Sequence, residues 1–192
     1  MTKIVLASAS PRRKSLLEWA EIDFDILFRE TDESFPAGMS PADAAIHIAR
    51  GKAHATRSMD LYTKYEQHIP VLAADTIVVL GGEIIGKPID REDAVKILTR
   101  LAGNKHLVIT GVVILRDEKE ISFSDTTEVV FHPISFSDIC YYVDKYKPYD
   151  KAGAYAIQEW IGVVGIKSIN GDFYNVMGLP ISRVVSALAE NF

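Results

Sequence analysis

Short continuous apolar runs and helical stripes take turns along this chain. Lys3 to Ala7 (KIVLA) is too short and too continuous for a helical period and reads as a first strand. Ser10-Pro11 is a helix-start signal, with serine as N-cap and proline at the first helical position. The helix is expected to reach about Ala20 and to bury Leu16, Leu17 and either Trp19 or Ala20. Phe24 to Phe28 (FDILF) alternates as a half-buried strand. Ser40-Pro41 opens a second helix, with Ala45, Ile48, Ala49 and Ala53 as its apolar stripe.

Val71 to Leu80 (VLAADTIVVL) is apolar enough to be a central strand buried on both faces. Gly81-Gly82 turns it into the short strand Glu83 to Ile85. Asp90 caps a helix with Ala94, Ile97, Leu98 and Leu101 at helical spacing, stopped by Gly103-Asn104. Lys105 to Leu115 and Ile121 to Phe131 form a long hairpin turned at Asp117-Glu118-Lys119. A helix from Ser137 to Tyr146, a strand near Val163 to Ile169, a turn at Asn170-Gly171-Asp172 and a helix from Pro180 to Glu190 follow. Interleaved helices and strands with two hairpins predict an α/β fold with a mixed sheet. No internal repeat or linker-like tract interrupts the 192 residues, so a single domain over 1–192 is expected, with or without two lobes around a cleft.

Composition narrows the classes. Formal net charge is -5, from 21 Lys+Arg against 26 Asp+Glu, which argues against a general nucleic-acid coat. A small anionic ligand stays open, since a pocket can be basic inside an acidic protein. The lone Cys140 cannot close an internal disulfide, which suits a reducing cytosol. The N-terminus has no long apolar signal region, and no apolar run approaches the roughly 20 residues that span a bilayer. A soluble, cytoplasmic protein without nucleic-acid or membrane partners is the expectation.

Ser8-Ala9-Ser10-Pro11-Arg12-Arg13 lies between a strand and a helix, where free N–H groups and the positive end of the helix dipole gather. Two hydroxyls and two forked cations there suit phosphate oxygens. The plainer alternative is an N-cap followed by two solvated arginines, but cations in a first turn oppose the dipole. Asp75, amid apolar neighbours, needs a partner or a metal to offset several kcal/mol of desolvation. Gly81 to Pro88 (GGEIIGKP) nearly matches a phosphate loop, yet Pro88 stands where a magnesium-binding hydroxyl belongs, so Lys87 is read instead as ending a hairpin strand. Asp32-Glu33 gains weight only if it joins Asp75 as a hard-oxygen site for Mg²⁺ or Mn²⁺. Taken alone, Lys52 is a solvated surface residue, and Gln158 has an amide that could read a base edge. Zinc-ligand spacing, a nucleophile elbow and a dinucleotide fingerprint are all missing. Gly162-Val163-Val164-Gly165 is read as turn chemistry.

Seven stretches in order resemble the Maf family of nucleotide pyrophosphatases along nearly the whole chain. They are LASASPRRKSLL, DES, ARGKA, AADTIVVLGGEIIGKP, LAGNKHLVITGV, DKAGAYAIQ and INGDFYNVMGLP. The resemblance implies an α/β fold with a cleft between two lobes. It implies cleavage of a nucleoside triphosphate between the α- and β-phosphates, aided by a divalent metal. Asp75 would activate water and, with Glu33, hold the metal; Ser8, Ser10, Arg12, Arg13, Lys52 and Lys87 would bind the phosphates. Arg12, Thr76 and Gln158 resemble the branch acting on dTTP and UTP, whereas Glu159-Trp160 departs from the small residue commoner after the glutamine. A homodimer is implied too. The alternatives are the same chemistry on modified or other nucleotides, or a non-catalytic nucleotide-binding regulator of cell division.

Overall fold

The computed structural model describes residues 3–65 and 69–192. Strand β1 (Ile4–Leu6) leads into helix α1 (Pro11–Trp19), strand β2 (Phe24–Ile26) and the long helix α2 (Pro41–Arg57). Strands β3 (Val71–Leu80) and β4 (Glu83–Ile85) precede helix α3 (Arg91–Leu101). Strands β5 (Lys105–Arg116) and β6 (Lys119–Phe131) precede helix α4 (Phe136–Tyr146). Helix α5 (Trp160–Gly165), strand β7 (Ile166–Asn170) and helices α6 (Phe173–Met177) and α7 (Ile181–Asn191) follow. The hydrogen-bonded strand order is β2-β1-β3-β5-β6-β7, with β4 paired to β3. β1 runs parallel to β2 and β3, whereas β3–β4 and β6–β7 are antiparallel, so the sheet is mixed as expected. Among the described residues no helix is long and apolar enough to cross a membrane.

The chain divides into two compact units. The first comprises 1–76, 110–125 and 178–192, and the second 77–109 and 126–177. In the first, Val5, Ala7, Leu27, Ala49, Ala53, Val71, Ala73, Val113 and Leu115 form a closed apolar cluster. Small residues dominate the α2 contribution, and they let its backbone lie almost on β5. A Cβ built on Gly111 would sit 2.4 Å from the carbonyl carbon of Ala45 and from the nitrogen of Ile46. That contact sets the depth at which α2 docks, and hence where its later turns present their side chains.

Four expectations need correction. Of Trp19 and Ala20, Trp19 is 64% exposed and Ala20 only half-buried, because the inward face of α1 consists of Arg13, Leu16 and Leu17, an i, i+3, i+4 set that starts on a cation. Ser135, two residues before the serine expected, caps α4: its Oγ accepts from Asp138 N at 3.1 Å and bonds Asp138 Oδ2 at 2.6 Å, a reciprocal cap. β7 begins at Ile166, since Trp160–Gly165 is helical, and the Gly162–Gly165 stretch lies inside that helix rather than in a turn. A Cβ on Gly162 would meet the Ile157 carbonyl oxygen at 1.9 Å, so only glycine lets this helix close against the preceding segment. Helix α6 was not expected at all. Its buried Asn175 donates through Nδ2 to Val108 O and Thr127 Oγ1, each at 3.0 Å, which anchors five residues too few for a helical period to register.

Candidate functional site

In the first unit the chain leaves β1 and turns into α1 through Ser8, Ala9 and Ser10. Ser8 is buried, and its Oγ accepts from the Ser10 backbone N–H at 3.1 Å. Ser10 in turn caps the helix, its Oγ accepting from Arg13 N at 3.5 Å. These bonds make the strand-to-helix turn rigid. Arg12 follows at the second helical position and is half-buried.

Arg13 departs furthest from the solvated alternative. Its guanidinium donates through Nε to Gly178 O at 2.7 Å, through Nη1 to Ser8 Oγ at 3.3 Å and through Nη2 to Thr76 Oγ1 at 3.1 Å. Burial lowers its pKa from the ordinary value and the neighbouring Arg12 charge adds to that, while the Asp75 and Glu33 carboxylates oppose it. The field of a buried cation therefore falls on the residues beside β3.

Asp75 sits on β3, buried as its sequence context requires. Lys52 on α2 reaches it with Nζ 2.6 Å from Oδ1 and, at the same time, 2.7 Å from Oε1 of Glu33. The lysine is not the solvated residue its neighbourhood suggests: its side chain is only 16% exposed and bridges two carboxylates. The bridge offsets the desolvation of Asp75 and brings the loop after β2 to β3. Asp32, the other half of the acidic pair, bonds Ser34 N at 2.9 Å and Ser34 Oγ at 2.7 Å, and those bonds hold its carboxyl below the usual range.

The donor set fits a hard divalent cation. Two carboxylates converge on one positive nitrogen, and magnesium is commonly held by one or two carboxylates plus substrate phosphates. Among the described residues no group of three or more His, Cys, Asp or Glu forms an all-protein cage, so phosphate oxygens would have to complete the shell.

Two residues of this site went unread in the sequence. Thr110 Oγ1 lies 2.9 Å from Thr76 Oγ1, and Gly178 supplies the carbonyl that Arg13 grips. A threonine inside the apolar run HLVITGVV was the available clue, because a buried hydroxyl needs a partner.

Lys87 and Gln158 belong to the second unit. Lys87 is exposed just past β4, and Gln158 is exposed between buried Ile157 and Glu159. The Glu159-Trp160 departure has a structural explanation. The Tyr142 hydroxyl donates to Glu159 Oε2, Lys151 Nζ lies 3.5 Å from Oε1, and Tyr142 Oη also accepts from Ala156 N at 3.2 Å. Trp160 packs edge-on against Tyr141, ring centroids 5.1 Å apart. Both side chains thus brace the segment that carries Gln158.

That segment also rests on a buried aromatic cluster. His106 Nε2 lies 2.7 Å from Tyr155 Oη, its ring is edge-on to Phe131 and Tyr155, and Nδ1 has no hydrogen-bond partner. Burial pushes the imidazole from its ordinary 6.5 down to about 4. Since the folded pKa lies below the unfolded one, the unfolded chain binds more protons between these values, and stability falls as pH drops through that window. Unfolding in denaturant should show full stability above pH 6.5 and a loss on the order of 3 kcal/mol by pH 4 from this group. His106→Gln, which keeps a partner for Tyr155, should flatten the slope; an unchanged slope would remove His106 as its cause.

Comparison with known proteins adds a second line of support. A family model described as "Maf-like protein" matches residues 3–191. A dTTP/UTP pyrophosphatase from Cytophaga hutchinsonii is 47% identical over 191 residues, covering 100% of this chain and 85% of the relative. One from Bacteroides thetaiotaomicron is 46% identical, covering 98% and 95%, and one from Parabacteroides distasonis is 45% identical, covering 97% and 94%.

Proposed function

We propose that this chain, which belongs to the Maf family, hydrolyses dTTP and UTP to the nucleoside monophosphate and pyrophosphate. The observation that carries the reading is the Glu33–Lys52–Asp75 bridge, one residue along β3 from the threonine that Arg13 holds. A buried carboxylate, an ammonium and a buried guanidinium in one small region suit attack on a polyphosphate.

Asp75 orients or deprotonates a water against the α-phosphate, with pyrophosphate leaving in line from the opposite side. A positioned base of this kind is worth about 10²–10⁴-fold in rate. Lys52 holds Asp75 and Glu33 in place before substrate arrives and then faces the negative charge itself. Ser8 and Ser10 stiffen the turn that aims the first N–H groups of α1, while Arg12, Arg13 and Lys87 offset phosphate charge. Glu33 and Asp75 would hold Mg²⁺ or Mn²⁺, and the bound cation supplies positive charge next to the phosphate oxygens. Base choice is assigned to Arg12, Thr76 and Gln158, with Tyr142 and Glu159 fixing the segment on which Gln158 stands. The reading extends to a cytoplasmic homodimer in which residues 1–192 act as one Maf-like domain.

The test is pyrophosphate release from a panel of nucleoside triphosphates with magnesium or manganese. Activity concentrated on dTTP and UTP supports reaction and specificity together. Activity spread over other or modified bases keeps the reaction and removes the roles given to Arg12, Thr76 and Gln158. Measurable nucleotide binding with no pyrophosphate from any of them would leave a non-catalytic regulator.

A further inference from the structure

Thr110 lies on β5 with no exposed surface, in a run otherwise made of aliphatic residues and glycine. Its hydroxyl is 2.9 Å from that of Thr76, which accepts from Arg13 Nη2 at 3.1 Å and also lies 3.5 Å from Gly178 O. A hydroxyl has one proton and two lone pairs, and Thr76 spends one lone pair on Arg13 and one further position on Thr110. The Thr76 hydroxyl is thus held by the protein before any nucleotide arrives. Beyond any part in base choice, Thr76 therefore acts through the guanidinium it holds and through the backbone it shares with Asp75.

Three segments remote in sequence therefore meet at one cation, Thr76 and Gly178 directly and Thr110 through Thr76. Thr76, Thr110 and Gly178 are also positions at which the chain leaves or re-enters the first unit. Gly178 has φ +113°, which strains any other residue, and a Cβ there would stand in ordinary contact with Thr76 Oγ1 at 3.5 Å and Arg13 Nε at 3.6 Å.

We propose that Thr110 is a positioning residue of the active site, locking the Thr76 hydroxyl so that Arg13 and the adjoining Asp75 keep one fixed arrangement. This rests on the pyrophosphatase reading above. Arg13 has five N–H donors, of which Nε and one each on Nη1 and Nη2 are bound to protein, which leaves two to face an anion. Those two are aimed only while the other three are held. Without Thr110, the Thr76 hydroxyl can rotate, and Arg13 loses the acceptor that orients Nη2.

The experiment compares Thr110→Val, which keeps the shape and removes the hydroxyl, with Thr110→Ser, which keeps the hydroxyl, measuring kcat and KM for dTTP and UTP. Melting temperature and circular dichroism are recorded alongside. Thr110→Val should lower kcat about tenfold at a temperature where it is fully folded, a loss of the size expected for one hydrogen bond between neutral groups, with KM changed less than twofold. Thr110→Ser should restore most of the rate. Thr76→Val should show the same fall, and the double Val variant little more, because both act through one guanidinium. If Thr110→Val does not fold, Thr110→Ala against Thr110→Ser carries the same comparison. Native kcat in a folded hydroxyl-free variant, or a lowered melting temperature with no kinetic change, overturns the proposal and leaves the pyrophosphatase reading intact. Absence of pyrophosphate from the native protein overturns that reading, and the positioning role with it.

Discussion

Asp75→Asn should reduce kcat by about 10²–10⁴-fold while leaving KM within a few-fold of native. Asparagine has the same shape, and its Oδ1 can still accept from Lys52 Nζ, now 2.6 Å from the carboxylate oxygen. The arrangement of α2 and β3 is therefore expected to survive. What disappears is the capacity to take a proton from water and one of the two negative charges around Lys52. The serines, arginines and lysines assigned to the phosphates are untouched, which is why the loss falls on kcat. Stability should fall as well, by about 1–3 kcal/mol, since buried Arg13 and shielded Lys52 both lose a favourable neighbour. Glu33 stays beside Lys52 and keeps that cost below the value for a wholly orphaned buried charge. Kinetics at 25 °C combined with a melting curve separates the two effects. A folded Asp75→Asn protein releasing pyrophosphate at the native rate would remove Asp75 from the chemistry, whatever else binds the nucleotide.

Much of this site is legible in the sequence because its parts obey local rules. Serine before proline at the end of a short strand fixes the turn at Ser10-Pro11, and a carboxylate in VLAADTIVVL demands compensation. What local rules miss is the identity of the compensating partner. Lys52 lies in an alanine-rich helix where nothing nearby distinguishes it from a solvated lysine, and only the docking of α2 brings it to Asp75 and Glu33. Arg13 misleads in the opposite direction. Next to Arg12 it looks like one of a pair of surface cations, yet it occupies the inward i position of the Leu16-Leu17 face. Long-range hydrogen bonds, 165 residues apart in the case of Gly178, leave no periodic trace.

The same distinction explains where the observed elements depart from the sequence pattern. Elements with many repeats of their period, such as β3, β5 and β6, lie within a residue or two of their expected bounds, and α2 starts at the expected Pro41. Helix α5 has six residues and α6 has five, too few for a 3.6-residue period to declare itself against β-branched valines. The valines at 163 and 164 favour a strand intrinsically, but close packing of Gly162 on the Ile157 carbonyl decides the conformation. Tertiary contact overrides propensity where the segment is short.

Gly111→Ala is the second substitution with a large expected effect, and it tests how packing feeds chemistry. The added methyl would meet Ala45 C and Ile46 N at 2.4 Å and Ala45 O at 2.6 Å. All three are main-chain atoms of α2, so no rotamer change can relieve the clash; the helix must move off β5. Overpacking typically costs 1–3 kcal/mol, and with backbone as the obstacle about 3 kcal/mol is expected. For a chain of this size that corresponds to a fall in melting temperature of roughly 6–12 °C. Lys52 stands seven residues beyond Ala45, two turns along the same face, so a displaced helix also carries the ammonium away from Asp75. A misplacement near 1 Å can cost about 10²-fold in rate, and kcat should drop even where the variant is fully folded. Gly51→Ala is the matched control. It lies on α2 next to Lys52, but a Cβ there meets nothing within 4 Å, and exchanging an exposed helical glycine for alanine should add about 0.5–1 kcal/mol of stability at unchanged rate. Loss of both stability and rate at Gly111, against a gain in stability at Gly51, ties the geometry of the bridge to the depth at which α2 docks. Native stability and rate in Gly111→Ala would mean that α2 tolerates a shift without disturbing Asp75, and the bridge would then owe its position to the loop carrying Glu33 instead.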